Sequence, residues 1–223
     1  MQTSIPHGGP VSATQFSVDL DDVRFALFDQ LKVHEQLGSV AKYADFDLDT
    51  LSATLEEAAR VAVEVLDPIN AKGDQQGCQL DGEGNVTTPE GYKEAWNTFA
   101  ENGWIGMSAS QEHGGIGLPY PVSLACNEMF TGACMAFTMY PGLTVGAARV
   151  IAEFAPEGMR GYADRMFAGE WGGTMCLTES NAGTAVGDNR TKATPTDEGH
   201  YLLEGEKIYI SGGDQDLTDN IVH

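Results

Sequence analysis

Apolar side chains recur at helical spacing through the first three-quarters of the chain and then give way to alternation. Over residues 21–38, Val23, Leu27, Phe28 and Leu31 fall on one helical face, and Gly38 suits a C-terminal stop. A stronger stripe follows from Asp49, formed by Leu51, Leu55, Ala58, Ala62, Val65 and Leu66, with Pro68 as its expected end. Residues 74–91 are rich in Gly and Asp and read as loop and turn. Thr88-Pro89 reads as an N-cap followed by Pro at the first helical position. Tyr92, Trp96 and Phe99 then keep helical spacing until Gly103. After a second loop, "SQEHGGIGLPYP", the mostly apolar stretch 122–167 predicts two or three buried helices, broken at Pro141-Gly142 and Pro156.

The character changes near Gly169. Met175 and Leu177 alternate with Cys176 in a short strand-like run, and "NRTKATPTDEGHYLLEGEKIYIS" predicts a hairpin turning at residues 197–199. Ile221 and Val222 begin another strand. Helices first and strands second argue an α+β chain with segregated domains rather than βαβ alternation. The expected division is an N-terminal extension and helix over 1–45, whose first 18 residues read as a loose polar arm, a helical domain over 46–168, and a partial β-domain over 169–223. A β-domain of that size with an open edge is marginal alone, so a longer chain or a partner is expected to complete it.

Composition narrows the function. Twelve Lys+Arg stand against 33 Asp+Glu, a formal charge of -21. A nucleic-acid partner is excluded on that balance, because phosphate binding needs clustered positive charge. An anionic ligand would have to be held by backbone N–H groups or a few local cations. Cys78, Cys126, Cys134 and Cys176 form no C-x-x-C pair and have no His at metal spacing, which predicts reduced thiols, a cytoplasmic setting and no metal site. No apolar run reaches the roughly 20 residues of a membrane span. No G-x-G-x-x-G follows a strand, so a dinucleotide fold of that type has no support.

The stretch "TMCLTESNAGTA" poses a chemical question, because an apolar run meets Thr-Glu and dissolves into small residues around Gly183. A loop nearly free of side chains lets backbone lie against a flat or phosphorylated ligand. These residues resemble the flavin-facing motif of the acyl-CoA dehydrogenases, an apolar strand followed by T-E-P-x-A-G-S-D. "GEKIYISGG" is similar to that family's second flavin-contacting strand, and "GWIGMSASQEHGGIGLP" to its helical-domain motif. "YPGLTVGAARVI" and "MFAGEWGGTMCLTE" also match in order and spacing. The stretches "DDVRFALFDQL", "VLDPINAKGDQQGCQLDGEGNVTTPEGYKEAW" and "SGGDQDLTDNIVH" resemble the long branch that includes the 3-methylmercaptopropionyl-CoA dehydrogenases.

The resemblance implies a helical domain followed by the start of a β-barrel-like middle domain, truncated before a C-terminal helical bundle. It implies FAD as cofactor and α,β-dehydrogenation of an acyl-CoA thioester. A homodimer or homotetramer is implied as the assembly, and an electron-transferring flavoprotein as acceptor. By resemblance, Met175, Leu177, Thr178, Tyr209, Ile210 and Ser211 face the flavin, while Gly183 and Thr184 border the CoA moiety. Tyr140 is the best candidate for facing the acyl group. Met135, Phe137, Met139 and Leu143 are open to two readings, acyl pocket or ordinary core. The catalytic base is expected in the C-terminal domain, so none is assigned here, and Glu179 reads as a conformation-setting carboxylate. Ser180 stands where the family has Pro and Ala185 where it has Asp. Those departures are compatible with a second reading, a non-catalytic or partner-completed binding protein.

Overall fold

The computed structural model of the protein describes residues 16–223. Most of the arm read over residues 1–18 therefore lies outside the described residues. The chain divides into two compact units, one formed by residues up to 95 with 117–138, the other by 96–116 with 139–223.

The first unit opens with α1 (Leu20–Arg24), whose N-cap Asp19 accepts from the N–H groups of Asp21 and Asp22 at 3.1 and 3.3 Å. A π-helical turn over Phe25–Gln30 comes next and buries Leu27 and Phe28. The chain then breaks at Lys32, which is left-handed at φ 50, before α2 (Val33–Leu37). One continuous helix over 21–38 is thus corrected to two. A π turn adds a residue and rotates the succeeding side chains about the axis, so Leu31 leaves the buried stripe and is exposed. The helix does stop at Gly38, whose N–H donates to His34 O at 3.1 Å, with a right-handed φ of -58 rather than a left-handed one.

The helix α3 (Leu48–Val61) is capped by Asp47, which accepts from Thr50 N–H at 2.8 Å. Its stripe is the one expected, Leu51, Leu55 and Ala58 being fully buried. The stop at Pro68 is not observed. A π turn over Ala62–Leu66 leads straight into α4 (Asp67–Gln76). The ladder changes register at that junction, where the missing N–H of Pro68 does least damage.

The stretch read as loop contains a small hairpin, β1 (Gln79–Leu80) against β2 (Val86–Thr87). The Asp81 carboxylate organises its turn, accepting from Glu83 N–H and Asn85 N–H, both at 2.8 Å. Next, α5 (Tyr92–Glu101) starts after Gly91 (φ 92), three residues later than a Thr88 cap would place it. Tyr92 meets Phe137 edge-on at 5.6 Å. The helix α6 (Tyr120–Ala133) packs on α3 and its π turn, burying Val122, Cys126, Met129 and Phe130. Burial pushes the Cys126 thiol up to about 12 and the Cys134 thiol upward, so both stay protonated.

The second unit is built on α7 (Met135–Phe154) from residue 139 onward and on α8 (Glu157–Phe167). The expected break at Pro141-Gly142 is absent. The chain breaks earlier, at extended Cys134 (φ -153), and α7 runs through buried Pro141. Packing there outweighs the ~3 kcal/mol cost of an interior proline. The break at Pro156 is where the spacing predicts it. Ala148, Ala163, Met166 and Phe167 form the core, with Trp171 and Val222 packed against it.

The strands are short. Here β3 (Gly172–Gly173) pairs in parallel with β6 (Ile221–Val222), and β4 (Lys192–Pro195) pairs antiparallel with β5 (Tyr201–Glu204) around the turn expected at 197–199. Every residue of β4 and β5 is exposed.

Trp96 joins the two ends of this unit, its Nε1–H donating to Gly169 O at 3.0 Å. Gly169 itself has φ 78, and a Cβ there would lie 2.7 Å from Ala100 Cβ and 2.8 Å from Ile105 Cδ1. Left-handed strain and overpacking act together at this position. Gly169→Ala is expected to lower stability by about 2–3 kcal/mol in urea unfolding, whereas Gly187→Ala, with open space around it, should change it little.

Candidate functional site

The site begins where β3 ends. Thr174 N–H donates to Val222 O at 3.0 Å, and its hydroxyl donates to Ser211 O at 2.7 Å. Residues 175–178 then leave the ladder. Their N–H groups donate no hydrogen bond among the described residues, and the carbonyls of Met175 and Cys176 accept none. The strand expected there is not formed. The apolar side chains of the segment stay out of the core, Met175 being 53% and Leu177 44% exposed. Thr178 is held by its carbonyl, which accepts from Ile208 N–H at 2.9 Å, and its hydroxyl is unengaged among the described residues.

The facing segment is not a strand either. Tyr209 is left-handed at φ 56 and 88% exposed. A bulky residue in that region is uncommon and costs on the order of 1–3 kcal/mol. Ile210 is half-buried, and its carbonyl accepts from Gly213 N–H at 3.2 Å. Gly212 (φ 61) follows Ser211, and a Cβ on it would sit 3.3 Å from Tyr140 Cδ1. Tyr140 is thereby brought beside Ser211. One side chain secures this corner. Thr144 on α7 donates its hydroxyl to Tyr140 O at 2.8 Å and accepts from Gly173 N–H at 3.0 Å.

Gly183 and Thr184 lie on the loop after Glu179. No atom lies within 4 Å of where a Gly183 Cβ would be, so the approach to its backbone is open. Thr184 is exposed and makes no hydrogen bond with any described residue. The loop is nevertheless fixed at its root. Glu179 and Ala182 exchange backbone hydrogen bonds at 2.9 and 3.2 Å, and Asn181 Nδ2 donates to Asp188 O at 3.0 Å. Asn189 Nδ2 reaches back to Leu177 O at 3.3 Å. Neither asparagine stood out in the sequence. Each ties down a loop that Ser180 and Ala185 leave without Pro or Asp.

Glu179 is the electrostatic centre. Its side chain is 4% exposed. The carboxylate accepts from Lys207 Nζ at 2.8 Å, Arg190 N–H at 2.6 Å and Thr191 N–H at 2.9 Å. Lys207, ahead of the Arg190 N–H, holds it down at about 2. A carboxylate that stays charged down to about pH 2 and is bound by three donors is no proton acceptor near neutral pH. The same ammonium donates to Leu177 O at 2.9 Å, so Lys207 fixes Leu177 and the loop at once. The sequence held Lys207 inside "GEKIYISGG" without marking it as the partner of Glu179. Among the described residues no His/Cys/Asp/Glu cluster could hold a metal ion, and no helix is long and apolar enough to cross a membrane.

Two variants test this architecture. Because the folded Glu179 value lies below the ordinary 4.5, its contribution to stability is complete above that value and fades as pH falls from 4.5 towards 2. Glu179→Gln is therefore expected to lower the thermal midpoint at pH 7, with the gap to wild type closing as pH approaches 2; a pH-independent gap would count against the ion pair. Thr144→Val strands the buried Gly173 N–H and should cost about 1–3 kcal/mol in urea unfolding.

Residues 49–170 match the acyl-CoA dehydrogenase N-terminal domain. The chain is 37% identical to 3-methylmercaptopropionyl-CoA dehydrogenase of Ruegeria pomeroyi, over 93% of this chain and 35% of that protein. It is likewise 37% identical to a butyryl-CoA dehydrogenase of Syntrophomonas wolfei, over 91% of this chain and 34% of the relative. The chain thus spans about a third of the length of these relatives. Among solved structures, butyryl-CoA dehydrogenase from Megasphaera elsdenii superposes with a TM-score of 0.61 at 26% identity, covering 76% of this chain and 43% of that one. An acyl-CoA dehydrogenase complexed with FAD from Bacillus anthracis superposes with a TM-score of 0.59 at 25% identity, covering 75% and 27%. With a family match over more than half of its residues and a fold shared with these enzymes, the chain belongs to the acyl-CoA dehydrogenase family.

Proposed function

We propose that this chain forms the flavin- and CoA-facing part of an FAD-dependent acyl-CoA dehydrogenase. The observation that carries the reading is the segment 175–178, whose N–H groups donate no hydrogen bond among the described residues. It offers exposed apolar side chains and unused N–H and C=O groups side by side, and it is pinned from behind by Lys207 and Asn189. That surface fits a flat, hydrogen-bonding ring system. Met175 and Leu177 would meet its rim and Thr178 would offer a hydroxyl to its polar edge. Tyr209 and Ile210 would flank it, and Ser211 would add a second hydroxyl. Gly183 leaves room for the CoA moiety and Thr184 supplies a hydroxyl to it. Tyr140, seated at Gly212, would face the acyl group. The domain bounds that go with this reading are 46–168 for the helical domain and 169–223 for the flavin-facing β-segment.

When bound, the flavin supplies the acceptor for the hydride leaving the β-carbon. The α-proton must go to a carboxylate, and Glu179 is not it, because Lys207 and two N–H groups already occupy its oxygens. The chain orients the reactants, and the base comes from outside the described residues. We propose a short or medium acyl-CoA as substrate, 3-methylmercaptopropionyl-CoA and butyryl-CoA being the first to try. The electron acceptor would be an electron-transferring flavoprotein, the assembly a homodimer or homotetramer, and the setting cytoplasmic. Ser180 and Ala185 support a second reading, a non-catalytic or partner-completed member.

The decisive measurement is a flavin spectrum and a turnover assay with both thioesters and a dye acceptor, on protein from its native source. Bound flavin with turnover is expected. Absence of both would favour the non-catalytic reading. The 223-residue chain alone is expected to retain FAD weakly and to turn over neither thioester; turnover by it would overturn the placement of the base elsewhere. In the active protein, Thr178→Val should lower kcat/KM or flavin affinity about tenfold, the loss of one hydrogen bond at the ring edge.

A further inference from the structure

In this chain 33 carboxylates compete for 12 cationic side chains. Arg24, Lys32, Arg60, Lys72 and Lys207 each have a carboxylate within 4.0 Å. Arg149 and Arg160 have none among the described residues, and neither do Lys42, Arg165, Arg190 and Lys192. Arg149 and Arg160 both line one cavity of about 740 Å³ in the second unit, bounded by residues 108–113 and the facing ends of α7 and α8.

Each guanidinium is steadied by a neutral oxygen. Arg149 Nη2 donates to Ser108 Oγ at 2.7 Å, and Arg160 Nε donates to Ala155 O at 3.4 Å. A guanidinium has five N–H donors, so most of each fork remains free. The apolar part of the wall is unusual for a solvent-facing surface. Phe154 is 79% exposed, and Val150 beside it is exposed as well. His113 also lines the cavity but is engaged by Asp164, with Nδ1 and Oδ1 2.8 Å apart. Glu112 and Glu153 stand at the same wall and limit how much negative charge the space accepts. None of the flavin- or CoA-facing residues assigned above lines this cavity.

We propose that the cavity is a binding site for a small organic anion, with one carboxylate or phosphate head group held between Arg149 and Arg160 and an aromatic or aliphatic body laid on Phe154 and Val150. The two glutamates favour a single head group over a polyanion, because each added charge would face Glu112 or Glu153 at close range. The aromatic wall rewards an organic body over a bare inorganic ion. The proposal does not depend on the flavin-site reading, since it concerns other residues.

The test is titration of the 223-residue chain with phenyl phosphate, 3-phenylpropionate, 3-phenylpropanamide and inorganic phosphate, monitored by calorimetry and by amide chemical shifts. Saturable binding of either aromatic anion is expected, with a Kd on the order of 0.1–1 mM as fits a fragment. Whichever anion binds tells carboxylate from phosphate as the preferred head. The neutral amide should not bind, and inorganic phosphate should bind about tenfold more weakly. Arg160→Gln and Phe154→Ala should each weaken binding about five- to tenfold, while Arg190→Gln, an equal loss of charge in another cavity, should not. Shifts should concentrate at residues 108–113 and 149–160, a readout that needs no variant. Absence of saturable binding by both aromatic anions, equal binding of the amide, or shifts centred elsewhere would overturn the proposal.

Discussion

One buried carboxylate organises the part of the chain that chemistry would use. Glu179 closes the apolar run, and its oxygens gather the backbone of residues 190–191 and the ammonium of Lys207. Burying a charge is unfavourable unless it is paired and hydrogen-bonded, and here the three donors come from two distant stretches of chain. Leu177 O shares the same ammonium, so Leu177 cannot shift without disturbing the pair. The open N–H groups at 175–178 exist because their segment is held from behind rather than through a ladder. A residue that looks like an acid-base candidate in the motif is the fastening of the shelf.

The helices were legible in the sequence wherever a stripe met a continuous core. Leu51, Leu55 and Ala58 on α3, and Tyr92, Trp96 and Phe99 on α5, lie buried as their spacing requires. Local stop signals were less reliable. Pro68 and Pro141 each cost a hydrogen bond, and each sits inside a helical stretch because a π turn or dense packing absorbs the loss. The π turn at Phe25–Gln30 rotated Leu31 out of the core, and no simple periodicity encodes that extra residue. Such insertions depend on what the helix meets in space.

Motif likeness offered a set of candidate residues and no shape. Motif likeness singled out Met175, Thr178, Tyr209 and Ser211, and high β-propensity made strands of their segments. The structure instead leaves the N–H groups of 175–178 without acceptors among the described residues and turns Tyr209 left-handed, with Ile208 bonding Thr178 O and Thr174 reaching Ser211. Propensity measures fit to a pleated surface, and these residues have no such surface to fit. Thr144, Asn181, Asn189 and Lys207 went unmarked because their roles arise from contacts between segments far apart in sequence.

The β4–β5 hairpin has a consequence of another kind. All eight of its strand residues are exposed, so it contributes almost nothing to a core and its persistence rests on its own ladder and its root at residues 190–191. Free energies of opening vary within one fold, and segments without buried apolar contacts lie at the low end. Amides of this hairpin should therefore exchange with solvent through local opening, long before those of α7 or β3. The root amides, by contrast, are bonded to buried Glu179. The carboxylate that fixes residues 177–179 is thus bonded to the backbone immediately before a strand exposed at every residue.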